Sequence, residues 1–310
     1  MIMEKSIEIN DIVRAFSLEV LTGEEFLADE VRESNARRPG LEFLKFLEYF
    51  PQAHVFVLGV NEITYLHSLT EAERAERIGT LVKYSPPCII ITDNDQRLKY
   101  LPKFCKERNI PLLRTDESNY EFIKKIDAFL INRLAPEIAV HGVCVNVFGV
   151  GVLIRGASGV GKSETAHSLI GRGHRLVADD IVVLKRLSPQ TLLGTHNDTN
   201  RELLALRSIG VMNVVRMYGR GAFQDESRIA LDIELTKWEK DELYNEIEME
   251  TKHTSYMDVE VPHIQIQIKP GRDTVGLIEA VVNNWHLQQQ GYSAAKEFMK
   301  RIEEESNEEE

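Results

Sequence analysis

The feature that most constrains the fold of this chain is a glycine-rich segment of eight residues near its middle. It reads G-x-x-x-x-G-K-S, and its members are Gly156, Ala157, Ser158, Gly159, Val160, Gly161, Lys162 and Ser163. The apolar run Gly151–Arg155 predicts a strand before it, and Ser163–Leu169 predicts a helix after it. In that order the N–H groups of the turn point inward and the helix adds its positive end, so the segment can surround a polyphosphate. The sequence therefore predicts an α/β fold with a phosphate-binding loop here.

Two side chains of this loop have distinct expected roles. Lys162 is placed to reach the outer phosphates of a bound nucleotide, and the Ser163 hydroxyl is placed to ligate Mg²⁺. ATPases, GTPases, kinases and nucleotide sensors all share these roles. The loop therefore predicts a nucleotide and Mg²⁺ without deciding between these classes.

The next acidic residues, Asp179 and Asp180, argue against an ordinary ATPase or GTPase. A typical phosphate-loop ATPase carries its second metal-binding aspartate after a later apolar strand, whereas here the apolar run Ile181–Leu184 follows the acids. Two adjacent carboxylates can divide the work, one holding the metal and the other taking a proton from an attacking hydroxyl. Such a pair is also typical of a turn at the start of a strand. Both aspartates are candidate catalytic residues, and the sequence does not decide which one is the base.

Charge and cysteine usage argue against several classes of protein. The formal net charge of −12 disfavours a protein that binds duplex nucleic acid. Cys88, Cys105 and Cys144 lack the C-x-x-C spacing of a zinc site and form no disulfide framework, which suits a reducing compartment. The sequence shows neither a signal-peptide pattern at its start nor an apolar run of about 18 residues. We therefore expect a soluble, cytoplasmic protein that binds neither nucleic acid nor membrane.

The pattern of apolar and polar residues changes near residue 134, and this change predicts two domains. Before that point, apolar runs such as His54–Gly59 and Cys88–Thr92 alternate with helix-period stretches such as Thr70–Lys83. From Val140 onward the chain is β-rich, and Pro136 follows a helical run at the boundary. The expected domains are an N-terminal α/β domain, 1–134, and a phosphate-loop domain, 135–310.

The second domain is expected to end in helices. The alternating segment Val259–Ile268 predicts a half-buried strand. Apolar residues at helical spacing predict a helix over Thr274–Gln290, closed by Gly291, and a second helix from Ser293 to about Glu304. The remaining acidic residues predict a tail with nothing apolar to bury.

Several motifs together resemble one protein family. The runs that carry the resemblance are His141–Val143, Gly149–Ile154, Gly159–Ala166, Arg172–Asp180, Arg207 with Gly210 and Asn213, and Pro270–Arg272. They are similar to those of the bacterial HPr kinase/phosphorylase family, whose members act on a serine of the phosphocarrier protein HPr. The resemblance covers essentially the whole chain, and it is most specific between His141 and Asp180.

The resemblance implies a fold, an activity and an assembly. It implies an N-terminal domain similar to that of Mur ligases, a C-terminal phosphate-loop domain similar to phosphoenolpyruvate carboxykinase, and a homohexamer. It implies that Lys162 and Ser163 bind phosphates and Mg²⁺, that His141 lies near the transferred phosphoryl, and that the aspartate pair supplies the general base. The implied reaction phosphorylates HPr with ATP or pyrophosphate, reverses by phosphorolysis, and serves carbon catabolite regulation.

Two departures from the family pattern fall at positions expected to carry chemistry. Ala205 stands where the family pattern has a metal-ligating glutamate, and Glu202 is the nearest carboxylate. Glu246 stands where the pattern has an arginine, and Lys252 or Arg216 could supply the missing cation. In addition, Gln267, Ile268 and Lys269 replace a proline-valine-arginine sequence before the turn at Pro270.

These departures leave three functions open. The first is an ATP-dependent HPr serine kinase, with or without phosphorylase activity. The second is a regulatory paralogue that binds nucleotide but is impaired in phosphoryl transfer, and the third is a small-molecule phosphotransferase. The third fits least, because both domains of the chain carry the resemblance.

Overall fold

The computed structural model describes residues 5–40, 43, 53–83, 85–95, 97 and 99–238, followed by 252–269 and 271–308. Internal contacts divide the chain into two units, residues 1–136 and 137–310, whereas the sequence suggests residue 134 as the last of the first domain. Both units combine helices with sheets, so the predicted mixed α/β class is confirmed. Each unit is described by itself.

The first unit is built on a small sheet with helices on both faces. Its strands are β1 (Ile7–Glu8), β2 (Glu19–Thr22), β3 (Glu30–Val31), β4 (Phe56–Leu58), β5 (Ile89–Ile91) and β6 (Leu112–Arg114), and its helices are α1 (Ile9–Phe16), α2 (Val60–Ser68), α3 (Glu71–Lys83), α4 (Leu101–Lys106) and α5 (Asn119–Leu134). The strand order is β2-β6-β5-β4, with β4, β5 and β6 parallel. β4 and β5 are continuous apolar runs because the two sheet faces are covered by separate hydrophobic clusters.

The second unit contains most of the β structure. Its strands are β7 (Glu137–His141), β8 (Val143–Val147), β9 (Val150–Gly156), β10 (Arg175–Ala178), β11 (Ile181–Ser188), β12 (Thr191–Thr195), β13 (Leu203–Leu206), β14 (Gly210–Asn213), β15 (Glu226–Lys237), β16 (Lys252–Tyr256) and β17 (Val259–Ile268). Its helices are α6 (Lys162–Gly171), α7 (Val214–Tyr218), α8 (Thr274–Gln289) and α9 (Ala294–Glu308). The strand Val259–Ile268 and both C-terminal helices are thus confirmed, the last helix extending beyond Glu304.

The main sheet of this unit brings three parallel strands to one edge. Its order is β10-β8-β9-β15-β12-β11-β7, and β17 pairs with β15 and with β16. Because β9, β15 and β17 are parallel, their carboxyl ends lie at the same edge. Helices α6 and α8 cover one face, packing Leu169 and Ile278 into the core that contains Ile154 and Ile233. The phosphate loop therefore leaves β9 at an edge that a rigid core supports.

Two local differences from the sequence expectation have physical causes. The run Val140–Val147, predicted as one β-rich segment, divides at Gly142 because its N–H donates to the Asp180 carbonyl at 3.1 Å. A Cβ on Gly142 would lie 2.8 Å from the Ile154 carbonyl oxygen, so the chain crosses β9 closely there. β15, which lies between β9 and β12, was not predicted, although Glu226–Lys237 alternates in burial along most of its length.

Candidate active site

The glycine-rich loop joins β9 to α6 through backbone conformations that favour glycine. Gly156 has a φ of 143°, and Gly161, which caps α6, has a φ of 109°. A Cβ on Gly156 would lie 2.3 Å from the Leu235 carbonyl oxygen of β15. The loop can therefore turn sharply off the sheet edge, which leaves the N-terminal end of α6 facing the space where a polyphosphate would bind.

Lys162 is held inside this loop. Its side chain is buried, and its Nζ donates to the carbonyl oxygens of Gly156 and Ala157 at 3.0 and 3.3 Å. Both acceptors are backbone carbonyl oxygens, so these two bonds do not pair the lysine with a carboxylate. A phosphate oxygen would be a stronger acceptor for the same donor.

Ser163 and Asp179 form the second part of the site. The Ser163 hydroxyl donates to Asp179 Oδ1 at 2.9 Å, and the Ala205 N–H donates to Asp179 Oδ2 at 2.9 Å. Asp179 is only 3% exposed. Burial raises the pKa of Asp179 above its usual value, while the hydrogen bonds from the Ala205 amide and Ser163 oppose that shift.

The Ser163 hydroxyl and the Asp179 carboxylate together fit a Mg²⁺ site. Magnesium is usually bound through one or two protein oxygens, with phosphate oxygens and water completing the octahedron. Among the described residues, no cluster of three or more His, Cys, Asp or Glu could hold a metal by itself. A hydroxyl and a carboxylate next to a polyphosphate loop therefore match the way Mg²⁺ is held together with a nucleotide, and they do not match a protein-only metal cage.

Asp180 occupies a different environment from its neighbour. Its side chain is 68% exposed, and its Oδ1 lies 3.1 Å from His141 Nδ1. The same ring nitrogen lies 3.0 Å from the Asp180 carbonyl oxygen. β7 and β11 create this proximity because His141 is the register partner of Ile181. The two aspartates therefore differ in environment. Asp179 is buried with both carboxylate oxygens bonded, whereas the Asp180 carboxylate is exposed and accessible to a substrate group.

Arg207 is a cation that the sequence argument gave no chemical role. A Cβ on Gly159 would lie 2.4 Å from Arg207 Nη2, so the guanidinium lies directly against the loop. Within the described residues Arg207 makes no ion pair, in contrast to Arg155, whose guanidinium donates to the buried Asp232 at 2.7 and 2.5 Å. Arg207 is therefore free to bind phosphate.

Position 205, one of the departures from the family pattern, is exposed to solvent. Ala205 lies on β13 opposite Val211 of β14, and its side chain is exposed, so it offers a methyl group where the family resemblance implies a metal-ligating glutamate. The carboxylate oxygens of Glu202, the nearest acid in the sequence, accept from Arg220 at 3.3 Å and from Asn213 at 3.4 Å. Glu246 lies outside the described residues.

A basic cavity lies near the loop at the same sheet edge. It has a volume of about 480 Å³ and is lined by Trp238, Lys269, Gly271 and Arg272. The Lys269 ammonium lies 4.4 Å from the centre of the Trp238 ring. Ile268, which precedes Lys269 in the chain, has its Cδ1 3.8 Å from the position of a Cβ on Gly161, so the segment leading into the cavity lining passes beside the phosphate loop. This space suits an anionic or phosphorylated group that approaches the loop.

Comparisons with known proteins agree over nearly the whole chain. A profile described as "HPr Serine kinase N terminus" matches residues 7–130, and one described as "HPr Serine kinase C-terminal domain" matches residues 132–302. Within the described residues, no helix is both long and apolar enough to cross a membrane.

Named relatives and a solved structure are also similar. A relative from Oceanobacillus iheyensis, provisionally named HPr kinase/phosphorylase 2, is 61% identical over 96% of this chain and 98% of its own length. An HPr kinase/phosphorylase from Bacillus cytotoxicus is 38% identical over 96% of each chain. The solved HPr(Ser) kinase/phosphatase of Coxiella burnetii is 31% identical and covers 52% of this chain and 98% of its own, with a TM-score of 0.47.

Proposed function

The chain belongs to the HPr serine kinase family, and we propose that it transfers the γ-phosphoryl group of ATP to a serine of the phosphocarrier protein HPr. The observation that carries the proposal is the contrast between the two aspartates. Asp179 bonds to Ser163 at the phosphate loop, whereas Asp180, the next residue, is exposed beside His141. Such a pair suits a phosphotransferase, because one carboxylate can serve the metal and the other the acceptor.

The loop side of the site binds and orients the donor. Loop N–H groups and Lys162 hold the polyphosphate, and Arg207 at Gly159 stabilises the negative charge that develops on the transferred group. Ser163 and Asp179 would hold Mg²⁺, which when bound neutralises charge on the phosphate oxygens. These groups are fixed before the reaction, so little reorganisation is needed in the transition state.

Asp180 is the general base of the proposal. Its carboxylate takes the proton of the serine hydroxyl as the serine oxygen bonds to the γ-phosphorus and the bond to the β–γ bridging oxygen breaks. ADP leaves, and the proton stays on Asp180 until solvent removes it. His141, within hydrogen-bond distance of Asp180, orients the carboxylate.

Other parts of the proposal extend this reaction. In the phosphorylase direction, inorganic phosphate attacks phosphoserine, Asp180 returns a proton to the serine oxygen, and pyrophosphate is released. Pyrophosphate would serve as a donor by the reverse of that step. A homohexamer, a cytoplasmic location and a role in carbon catabolite regulation rest on the family resemblance, and sedimentation velocity of the full chain tests the first of them.

A second function is favoured by one observation. Ala205 presents a methyl group at an exposed position where the family resemblance implies a metal-ligating glutamate. A regulatory protein that binds ATP but transfers phosphoryl slowly would keep the loop and tolerate this alanine. The two functions differ in transfer and not in binding.

The deciding experiment measures transfer and binding together. Purified full-length protein is incubated with HPr, Mg²⁺ and ATP, phosphoserine is located by mass spectrometry, and nucleotide affinity is titrated in parallel. Lys162→Ala should abolish transfer, whereas Lys99→Ala, the same change at an exposed site in the first unit, should leave it unchanged. Tight nucleotide binding with no phosphoserine on HPr would reject the kinase and favour the regulator. Where transfer occurs, adding phosphate to phosphoserine-HPr tests the reverse reaction.

A further inference from the structure

Asp180 stands in a backbone conformation that few non-glycine residues adopt. Its φ is 68°, in the left-handed region, and the Ile181 N–H donates to the Asp179 carbonyl at 2.9 Å. A hydrogen bond between residues i and i+2 around a positive φ is the pattern of the rare and strained γ-turn. Such a turn persists only where the surrounding structure holds it.

The Asn200 side chain bonds to the backbone on both sides of this turn. Its Nδ2 donates to the carbonyl oxygens of Asp179 and Ile181, at 2.6 and 2.9 Å, so one amide group spans the residue between them. The two carbonyls are those that flank Asp180 in the chain.

The orientation of this amide is fixed by a second asparagine. Asn200 Oδ1 accepts from the Asn197 N–H at 3.0 Å, and the Asn200 N–H donates to Asn197 Oδ1 at 2.8 Å. A flipped amide would place its NH₂ against the Asn197 N–H and its oxygen against two carbonyls, losing all three bonds. The Nδ2 group therefore has one favourable direction, toward the turn.

We propose that Asn200 is the positioning residue of the Asp180 turn and keeps the Asp180 carboxylate aimed at the acceptor. From the other side, the Asp180 carbonyl accepts from the Gly142 N–H at 3.1 Å and lies 3.0 Å from His141 Nδ1. With both flanks of Asp180 bonded, its side chain has a defined exit direction. This inference rests on the proposed function, because it assigns Asn200 to the base of that reaction.

Asn200 could act as a clamp on the turn, through the two bonds from its Nδ2, or only as a brace within the Asn197–Asn200 loop, through its Oδ1. Two substitutions separate these roles. Asn200→Ala removes every side-chain bond, whereas Asn200→Asp keeps an oxygen that accepts from the Asn197 N–H but has no hydrogen for the two carbonyls. Asp198→Ala, an exposed change in the same loop, is the matched control. Each variant is assayed as the full chain for kcat, the KM for HPr and nucleotide affinity.

The expected result is a fall in kcat of at least tenfold in both Asn200 variants, with nucleotide affinity within twofold of wild type and Asp198→Ala unchanged. Wild-type kcat in Asn200→Asp with a loss only in Asn200→Ala would overturn the proposal in favour of the loop brace. Unchanged kcat in both variants, or a parallel loss of nucleotide affinity, would overturn it as well.

A second readout does not depend on activity. Hydrogen exchange should quicken at least tenfold at the Ile181 and Gly142 amides of both Asn200 variants, while the amides of α6 keep their rates. Unchanged exchange at these two amides contradicts the clamp. If the wild-type protein transfers nothing to HPr, the proposed function fails, and the exchange result still decides whether Asn200 holds the turn.

Discussion

Asp179 illustrates a single residue whose placement favours chemistry over stability. Its carboxylate is buried at 3% exposure, and burial raises its pKa, so ionisation at neutral pH works against folding. Asn can keep the local bonds, its oxygen accepting from Ala205 N–H and its NH₂ donating to Ser163 Oγ. We therefore expect Asp179→Asn to raise the Tm of the metal-free protein and to lower phosphoryl transfer by about 10²- to 10³-fold.

The pH dependence of this variant follows from the direction of the shift. In the unfolded chain the Asp179 carboxyl ionises near its usual pKa of 3.8, and in the folded protein it ionises at higher pH. Between these two pKa values the folded state binds more protons, so wild-type stability from this group falls as the pH rises. The Tm advantage of Asp179→Asn should therefore grow through this window and level off above it. Scanning calorimetry measures it, and an advantage that shrinks with rising pH would contradict the assignment.

Arg207 leads to a prediction about phosphate charge. Because its guanidinium lies against Gly159 without an acid partner among the described residues, Arg207→Ala should lower kcat/KM for ATP by about 10²-fold. Arg216→Ala, at the other cation considered for this role, is the matched control and should change it less than twofold. The same kinetic assay contradicts the assignment if Arg216→Ala is the more damaging change.

At the level of elements, the pairing of β9 with β15 positions the loop. A Cβ on Gly151 would lie 2.2 Å from the Arg228 carbonyl oxygen, so Gly151→Ala would push the two strands apart. We expect a loss of about 1–3 kcal/mol in the free energy of unfolding, the usual cost of overpacking. The control is Gly171→Ala at the end of α6, where a Cβ meets nothing within 4 Å and a gain of about 0.5–1 kcal/mol is expected. Urea denaturation measures both, and equal effects would contradict the close approach.

The elements that the sequence could predict are those whose signal is local. The strand, glycine turn and helix around Lys162 follow from periodicity and from the conformational freedom of glycine. The break at Gly142 could not be predicted in this way, because it depends on contacts with Asp180 and Ile154, which are distant in the chain. Long-range pairing therefore decides where His141 meets the aspartate turn.

The difference between local signals and long-range contacts also decides which site residues could be predicted. Lys162 and Ser163 stand at fixed positions of a motif, so their place at the loop follows from spacing alone. Asn200 and Arg207 act through contacts across loops, and an asparagine between polar residues is equally typical of a surface turn. Only the hydrogen bonds to Asp179 and Ile181 show what Asn200 holds.

At the scale of the whole molecule, each hydrophobic core lies within one of the two units. Two clusters belong to the first unit and two to the second, so each unit has the apolar burial needed to fold. The three thiols report on these cores separately. Cys88 and Cys105 are buried in the first unit, and Cys144 is buried between sheet residues of the second.

Thiol labelling therefore tests whether the units unfold independently. Burial raises the pKa of each thiol to about 12, so at pH 8 only about one in 10⁴ would be ionised, and alkylation requires unfolding. Saturating ATP with Mg²⁺, at about 100 times its Kd, should stabilise the unit that binds it by about 2.7 kcal/mol. We expect it to raise the urea midpoint for labelling of Cys144 and to leave Cys88 and Cys105 unchanged, as followed by mass spectrometry. A shift of all three cysteines together would show that the two units unfold as one, and a shift of Cys88 and Cys105 without Cys144 would place the nucleotide in the first unit.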